Sequence, residues 1–423
     1  MSELAHGILL QDQGRLEEAE ACFMGVLARE PENDYVHSRI ALCRLSQEGK
    51  KKLALQSIDT AIQLKADNGY YHAIRSFILS DLNRGKDSLA AAEKAVSLDP
   101  EDAFTLTSKA AAYCSVDRWA EAEKWCREAL AVDPDNSMAA NILTNVLRLQ
   151  GKSAENDIAV EKLLAANPED SYSHINAGWS ALQKRDFRKA ESHFREALRL
   201  DPESDAAREG LLESFRARSW FYRVYLSYCF FMQKFTGGRQ FLFIIGGYVA
   251  YRFLRGVLEK INPLLALGVG LLWLGLVLWV WLAPGIGNFL ILLDRSARLA
   301  LRPSEKRQGI AVGGGLLLGI LGIGTGIATG YAPAMLVGIG AMASTIPASL
   351  TFDNDSRAGR WVFGSITGLA YVATLSLGIL EAVRHSEEEL SEITVGFGGV
   401  VLLSTFLCTW LGNIRSLRQA TVE

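Results

Sequence analysis

Residues 100–134 read PEDAFTLTSKAAAYCSVDRWAEAEKWCREALAVDP, and this stretch decides the fold of the first half of the chain. A proline stands at each end, and Pro100, Pro134, Pro168 and Pro202 follow one another at intervals of 34 residues. A fixed interval of this size indicates helical repeats that stack side by side, because a single unit cannot bury its own apolar face. The first half is therefore predicted to be an array of helical hairpins.

Small and apolar positions recur in register with the prolines. They are Ala122, Cys126 and Ala129 in one unit, Ala190, Phe194 and Ala197 in another, Ala19, Phe23 and Val26 near the start, and Gly7, Ala110 and Gly178 where paired helices would cross. The 34-residue interval and these small and apolar positions together resemble the sequence pattern of the tetratricopeptide repeat family. The resemblance implies an all-α fold, a superhelical solenoid of about six repeats with a capping helix over residues 1–217. Ala66, Thr144 and Asn156 depart from the family pattern.

The balance of acidic and basic residues changes near residue 215, close to the end of the predicted repeats. Residues 1–215 contain 26 Lys and Arg against 36 Asp and Glu, whereas residues 216–423 contain 18 against 11. An acidic first half does not suit nucleic acid, because phosphate binding needs clustered cations. The six cysteines form no C-x-x-C pair, which suits a reducing compartment. The first residues lack the charged and apolar regions of an export signal, so the repeats are expected in the cytoplasm.

The family resemblance implies a concave groove lined by the first helix of each repeat. In this register the groove residues are mostly aromatic or amide side chains: Tyr70, Phe77, Phe104, Asn141, Asn145, Tyr172 and Trp179. Such a groove suits a peptide or helix with apolar anchors, since aromatic side chains dominate binding energy at protein interfaces. A second interpretation stays open, in which these side chains pack against the neighbouring repeat and contact no partner.

The segment 218–239 is aromatic and basic. Its rings include Trp220, Phe221, Tyr222 and Tyr225, and they alternate with cations such as Arg223. This composition is typical of the headgroup boundary of a membrane, so an interfacial helix is predicted. A rigid extension that packs wholly on protein is the alternative.

Long apolar runs occupy residues 240–413. Four of them, 264–283, 309–330, 361–380 and 393–411, reach the roughly 20 residues that cross a bilayer core. A fifth follows because residues 309–352 carry no charge, and a hairpin at Gly330–Tyr331–Ala332–Pro333 would divide them. Residues 241–258 are a sixth candidate, with Arg252 and Arg255 placed to reach the headgroups. We predict a polytopic transmembrane bundle of about six helices.

Basic loops indicate the orientation of this bundle, because cytoplasmic loops carry an excess of Lys and Arg. The loops 294–308 and 353–360 and the tail 414–423 are predicted to be cytoplasmic, while the loop 381–392, with five Glu, is predicted to lie outside. Six spans then place both termini in the cytoplasm. The expected location is a membrane of the bacterial inner or plasma membrane type.

The third and fourth spans are rich in glycine, and three pairs lie four residues apart: Gly315 and Gly319, Gly322 and Gly326, and Gly326 and Gly330. This spacing allows two helix backbones to approach closely. Packing within the bundle is predicted, and a homo-oligomer that forms through the same face is the alternative.

Catalytic motifs are absent from the sequence. There is no G-x-S-x-G, no H-E-x-x-H and no Cys/His ligand cluster, so no enzymatic activity, cofactor or metal site is expected. Spans three to six contain no ionisable residue, which disfavours proton-coupled transport. Polar residues gather instead after Pro284, where Asn288 lies and where Asp294 and Arg298 are spaced to pair on an amphipathic stretch.

Two functions from different classes remain. The first is a membrane-anchored scaffold or assembly protein that recruits a protein partner through the repeat groove. The second is a channel or transporter for a neutral solute, with the repeats as a cytosolic regulatory domain. A conduit predicts a continuous polar lining from hydroxyl side chains: Thr325, Thr329, Ser344, Thr345, Ser365 and Thr367. A scaffold predicts a closed apolar bundle.

Overall fold

The structure is a computed structural model that describes residues 2–47, 49–233, 235, 238–354, 356–384, 392–412, 414 and 417, with the backbone alone at 238–241. The chain divides into two compact units. The first runs to Ala207, and the second contains Arg208–Phe231 and the helices that begin at Gly238. Every regular element in the described ranges is helical, as the sequence predicted.

The first unit contains six helical hairpins. They are α1 (Glu3–Asp12) with α2 (Leu16–Leu27), α3 (Asp34–Leu45) with α4 (Lys51–Leu64), α5 (Gly69–Asp81) with α6 (Gly85–Leu98), α7 (Ala103–Cys114) with α8 (Trp119–Val132), α9 (Ser137–Gln150) with α10 (Ser153–Ala166), and α11 (Ser171–Gln183) with α12 (Phe187–Leu200). Each hairpin packs on the next, and the first helices of repeats two to six contact one another in turn. The array of helical repeats is thus confirmed.

The first helix of each repeat begins at a capping side chain. Asn33, Asn68, Asp102, Asn136 and Asp170 each accept a hydrogen bond from a backbone N–H of the first turn. In four of the five repeats the cap lies two residues after the proline, because the proline ends one helix and the cap begins the next. An Asn or Asp side chain therefore sets the start of each of these five first helices.

Two glycines at the predicted crossing positions face phenylalanine rings. A Cβ on Gly7 would lie 2.7 Å from a ring carbon of Phe23, and a Cβ on Gly178 would lie 2.7 Å from the ring of Phe194. Both rings are fully buried. Only glycine allows this approach, so the paired helices enclose the largest side chains of their cores.

The departures in the fifth repeat are polar side chains with partners. Thr144 donates from its hydroxyl to the carbonyl oxygen of Asn141 (2.8 Å), and Asn156 donates to the hydroxyl of Ser180 in the next repeat (2.9 Å). Both side chains are buried. A buried polar group is tolerated when it is hydrogen-bonded, which accounts for Thr144 and for the amide nitrogen of Asn156 at positions where the family has small residues.

Three histidines bind the loop that precedes their own helix. The Nε2 atom of His37, His72 or His174 lies 2.9 to 3.0 Å from the carbonyl oxygen six residues earlier, which belongs to Pro31, Ala66 or Pro168. The recurrence at one repeat position explains these histidines as structural contacts of the loop.

Acidification is expected to destabilise the repeat unit through His193. Its Nδ1 lies 3.2 Å from Nδ1 of His174, and burial followed by repulsion from His174 lowers the pKa of His193 from 6.5 to about 4. The unfolded chain therefore binds a proton that the folded repeat excludes, so stability is lost as the pH falls from 6.5 towards 4. We expect a loss of about 1 to 2 kcal/mol at this partly exposed site. Denaturant unfolding at pH 7 and pH 4.5 should show a smaller loss for His193→Gln, and an identical loss in both proteins would refute this role.

The second unit contains α13 from Arg208 onward and seven further α-helices among its described residues. With α13 (Asp205–Arg216) they are α14 (Trp220–Gln233), α15 (Gly238–Ile261), α16 (Pro263–Leu293), α17 (Pro303–Thr329), α18 (Ala332–Phe352), α19 (Arg357–Val383) and α20 (Glu392–Leu411), and a short 3-10 helix spans Ala297–Ala300. By length and composition, α16 to α20 could cross a membrane, whereas α15 is less apolar. Residues 208–217, which the sequence predicted to cap the repeats, lie in this second unit.

The region after Pro284 differs from its prediction. α16 continues through this proline to Leu293, so the predicted amphipathic stretch is mostly the last part of a longer helix. Asp294 accepts from Arg218 rather than pairing with Arg298. Spacing along one helix could not reveal this partner, because Arg218 lies 76 residues away in sequence.

Glycines bring α17 and α18 together. A Cβ on Gly315, Gly319, Gly322 or Gly326 would lie 2.2 to 2.7 Å from the nearest atom of α18. This glycine face of α17 therefore packs against α18 within the chain. Gly330 differs from the prediction: nothing lies within 4 Å of its Cβ position, and it ends α17 with a φ of 69°. Such a φ favours glycine, so Gly330 forms the predicted hairpin instead of packing.

Two predicted regions lie largely outside the described residues. They are the acidic loop 381–392, described only to residue 384 and at 392, and the tail 414–423, described only at residues 414 and 417. The predicted end of the interfacial helix near residue 237 also falls there.

Candidate functional site

The second residue of five successive first helices forms a ladder of large side chains. Three of its members, Tyr70, Phe104 and Tyr172, were predicted groove residues, and the ladder also includes Tyr35 and Met138. Solvent reaches 39% of Tyr35, 45% of Met138 and 66% of Tyr172. The sequence analysis missed Tyr35 and Met138, although the repeat interval of 34 or 35 residues already marked both positions. We call these five residues the ladder.

The middle of the ladder is an aromatic cluster. The ring of Phe104 lies 4.9 Å from that of Tyr70 and 5.4 Å from that of Phe77, measured between centroids. All three rings are half-buried. Rings at these distances stabilise one another beyond their buried area, so this cluster joins the third repeat to the fourth.

The predicted amides are engaged inside the array. Asn141 donates to the carboxylate of Asp170 (3.1 Å) and accepts from the side chain of Asn176 (2.8 Å), while Asn145 accepts from Arg148 (2.8 Å). Asn141 therefore connects the fifth repeat to the sixth. The amide oxygen of each of the two residues already has a protein donor.

Trp179 lies between two side chains of the array. Its ring packs edge-on against Phe194 at 5.6 Å, and the guanidinium of Arg148 lies 5.8 Å from its centroid. Burial lowers the pKa of Arg148 to about 10, and its Nε has no hydrogen-bond partner among the described residues. Trp179 thus contacts Phe194 in its own repeat and Arg148 in the preceding repeat.

The first helices offer aromatic surface and hydrogen bonds. Of the predicted groove residues, Tyr172 is exposed and the other six are half-buried in contacts within the array. No group of three or more His, Cys, Asp and Glu side chains within the described ranges could hold a metal ion. The exposed ladder side chains are of the large, partly apolar kind that contributes most binding energy at protein interfaces.

A chain of buried polar contacts runs through the second unit. Arg216 donates to the carboxylate of Glu213 (2.6 Å) and twice to the amide oxygen of Asn288 (2.7 and 3.1 Å). Asn288 donates to Gln308 (2.7 Å), which donates to the hydroxyl of Ser349 (3.0 Å). These contacts fasten α13 to α16, α17 and α18. We call the five residues the polar chain.

Two ion pairs lie beside the polar chain. Arg208 donates to both oxygens of Glu305 (3.1 Å), and Arg218 donates to Asp294 (2.5 Å). Asp294 directly follows α16, and Glu305 lies in the first turn of α17. Residues 208–218 therefore contact the connection between α16 and α17 at two points. The sequence predicted Arg298 as the partner of Asp294 and indicated no partner for Glu305.

The hydroxyls proposed for a pore bind their own helices. Thr325 and Thr329 donate to carbonyl oxygens of α17, and Ser344 and Thr345 donate to carbonyl oxygens of α18. A cavity of about 540 Å³ lies among α17, α18 and α19, and its lining is mainly apolar: Leu318, Leu321, Val337, Leu375 and others, with Thr325, Thr374 and Tyr371. Thr367 likewise donates to a carbonyl oxygen of α19, so five of the six hydroxyls predicted for a polar lining bond to their own helices.

Comparison with known proteins identifies the first unit. Three models of the tetratricopeptide repeat match residues 4–69, 105–132 and 171–204. Interferon-induced protein with tetratricopeptide repeats 2 from Mus musculus is 31% identical over 124 residues. The match spans 29% of this chain and about a quarter (26%) of the mouse protein.

Solved structures of other repeat proteins are similar over the same half. A tetratricopeptide repeat protein from Parabacteroides merdae matches 49% of this chain and 81% of its own at 15% identity, with a TM-score of 0.44. The structure of pilF from Pseudomonas aeruginosa matches 49% of this chain and 94% of its own at 17% identity, with a TM-score of 0.38. At these scores neither structure supports a functional conclusion. The family matches end at residue 204 and name no family for the C-terminal part, whereas the N-terminal half of the chain belongs to the tetratricopeptide repeat family.

Proposed function

We propose that the protein is a membrane-embedded scaffold that recruits a protein partner through the first helices of its repeats. The observation that carries the proposal is the ladder, whose exposed members recur on an array that belongs to a protein-binding family. Large exposed side chains that recur along the array, Tyr35, Met138 and Tyr172, suit an elongated segment with apolar anchors. No step of this function requires a reacting group.

Five long apolar helices support the membrane placement. α16 to α20 expose many large apolar side chains, among them Leu264, Leu272, Ile327 and Phe406. A surface of this kind is unfavourable in water and matches the hydrocarbon core of a bilayer. Alkaline carbonate extraction should leave the full chain in the membrane fraction, and its release into the soluble fraction would exclude this placement.

We propose α15 as a sixth span, with the repeats in the cytoplasm. Its 24 residues cover about 36 Å, and Leu242, Phe253 and Ile261 are exposed along it. Six spans keep the basic links 294–308 and 353–360 on the same side as the repeats, as the excess of cations requires. The proposed division is 1–217 for the repeats, 218–239 for an interfacial helix, 240–413 for the membrane domain and 414–423 for a tail.

Replacement of exposed ladder residues is expected to release the partner. In Tyr35→Ala/Tyr172→Ala, two anchors are lost while the packed cluster around Phe104 remains, so binding should weaken at least tenfold. Affinity purification of the full chain from gently solubilised native membranes, followed by mass spectrometry, measures the recovery of the partner. Ile158→Ala removes a similarly exposed apolar side chain from α10, a second helix, and serves as the matched control.

The control decides between the two interpretations of the groove. A partner that is retained by the ladder variant, or lost equally with Ile158→Ala, would contradict recruitment through the first helices. Phe77→Ala and Trp179→Ala are less suitable, because both side chains contact other rings of the array and their loss would also reduce stability.

A further inference from the structure

The link between α16 and α17 is strongly basic. Residues 293–310 contain five cations, Arg295, Arg298, Arg302, Lys306 and Arg307, and two carboxylates, Asp294 and Glu305. Arg295, Arg298 and Arg307 are exposed. Because the link follows one long apolar helix and precedes another, it lies where both helices end.

Both carboxylates in residues 293–310 already accept hydrogen bonds from other protein groups. Asp294 accepts from Arg218, and its second oxygen accepts from the hydroxyl and backbone N–H of Ser296, bonds that lower the pKa of Asp294 to about 2. Glu305 accepts from Arg208 and from the backbone N–H of Arg302. Within the described ranges, Arg295, Arg298, Lys306 and Arg307 therefore make no ion pair. The two pairs also add the cations of α13 and the following turn to the same surface.

Large apolar side chains alternate with these cations. Leu299 follows Arg298 in the 3-10 helix and is 80% exposed, and Leu293 and Ile310 are exposed at the two helix ends. Water would disfavour such exposure, whereas a membrane surface accepts it: the apolar side chains enter the acyl region while the cations remain at the phosphates.

We infer that residues 293–310 form a binding surface for the phosphate headgroups of anionic phospholipids. The inference rests on the proposed membrane placement and adds a lipid preference to it. Charge complementarity selects anionic over zwitterionic headgroups, because four cations of this surface, Arg295, Arg298, Lys306 and Arg307, make no ion pair within the described ranges. The exposed leucines select a lipid over a free phosphate, which has no acyl chain for them to contact.

Native mass spectrometry of the full chain in mild detergent tests this inference, with titration by phosphatidylglycerol or phosphatidylcholine. Retention of phosphatidylglycerol should exceed that of phosphatidylcholine and should fall with rising salt. Each cation near an anionic surface raises the affinity for that surface roughly fivefold. The triple variant Arg295→Gln/Arg298→Gln/Arg307→Gln should therefore bind phosphatidylglycerol at least about tenfold more weakly. The corresponding triple Lys variant should keep the preference, because it keeps the charge.

A matched control removes the same charge elsewhere. Lys52→Gln/Lys65→Gln/Arg188→Gln replaces three exposed cations of the repeat unit and should bind phosphatidylglycerol as the unmodified chain does. Equal retention of the two lipids, equal loss in the control, or displacement of phosphatidylglycerol by millimolar inorganic phosphate would overturn the inference. A chain that resists carbonate extraction but shows no lipid preference would reject this inference alone and leave the scaffold proposal intact.

Discussion

Replacing Arg216 with methionine is expected to lower the free energy of unfolding of the second unit by about 3 to 5 kcal/mol. The guanidinium is almost fully buried between Glu213 and Asn288 and donates to both. Burial opposes the charge, but Glu213 and Tyr222 raise the pKa of Arg216 above its ordinary value. Methionine would leave a buried carboxylate without its cation and the oxygen of Asn288 without its donor.

A double-mutant cycle separates the ion pair from the packing of the arginine stem. Glu213→Gln/Arg216→Met removes both charges, so it should unfold at a higher temperature than Arg216→Met. Thermal unfolding of the full chain in mild detergent gives the comparison. Arg252→Met, which replaces an exposed arginine of α15, is the control for loss of charge and should match the unmodified chain. Equal unfolding temperatures for Arg216→Met and the unmodified chain would show that the polar chain does not stabilise this unit.

Replacing Gly322 with leucine is expected to force α17 away from α18 and to destabilise the unit by on the order of 3 kcal/mol. A Cβ on Gly322 would lie 2.7 Å from the carbonyl oxygen of Ala334 and 2.9 Å from the Cα of Gly338. Both neighbours are backbone atoms, which cannot rotate out of the way. The two helices must therefore separate, and the contacts along their whole interface would weaken.

Gly324→Leu is the matched control, two residues away on the same helix. Nothing lies within 4 Å of the Cβ position of Gly324, so the same substitution meets open space there. Unfolding temperature and protease resistance in detergent should fall for Gly322→Leu and hold for Gly324→Leu. A similar decrease in both variants would assign the effect to helix propensity or lipid contact instead of the interface.

The candidate groove was predictable in its positions and less so in its contacts. The repeat register placed Tyr70, Phe104 and Tyr172 on successive first helices, because the interval is nearly constant. The register could not show that the ring of Phe104 packs against both Tyr70 and Phe77, or that Tyr172 remains exposed. Those outcomes depend on how far adjacent repeats are rotated, which a period in the sequence does not contain.

The sequence by itself determined the helical repeats and the five long apolar helices, because these features depend on local periodicity and composition. Only the tertiary structure decided the partners of the polar residues. Arg216 and Asn288 lie 72 residues apart, and Gln308 and Ser349 lie 41 apart, so no local pattern joins them. The packing of helices through glycine brought these residues together, and the cost of burying an unpaired charge or amide then fixed their hydrogen bonds.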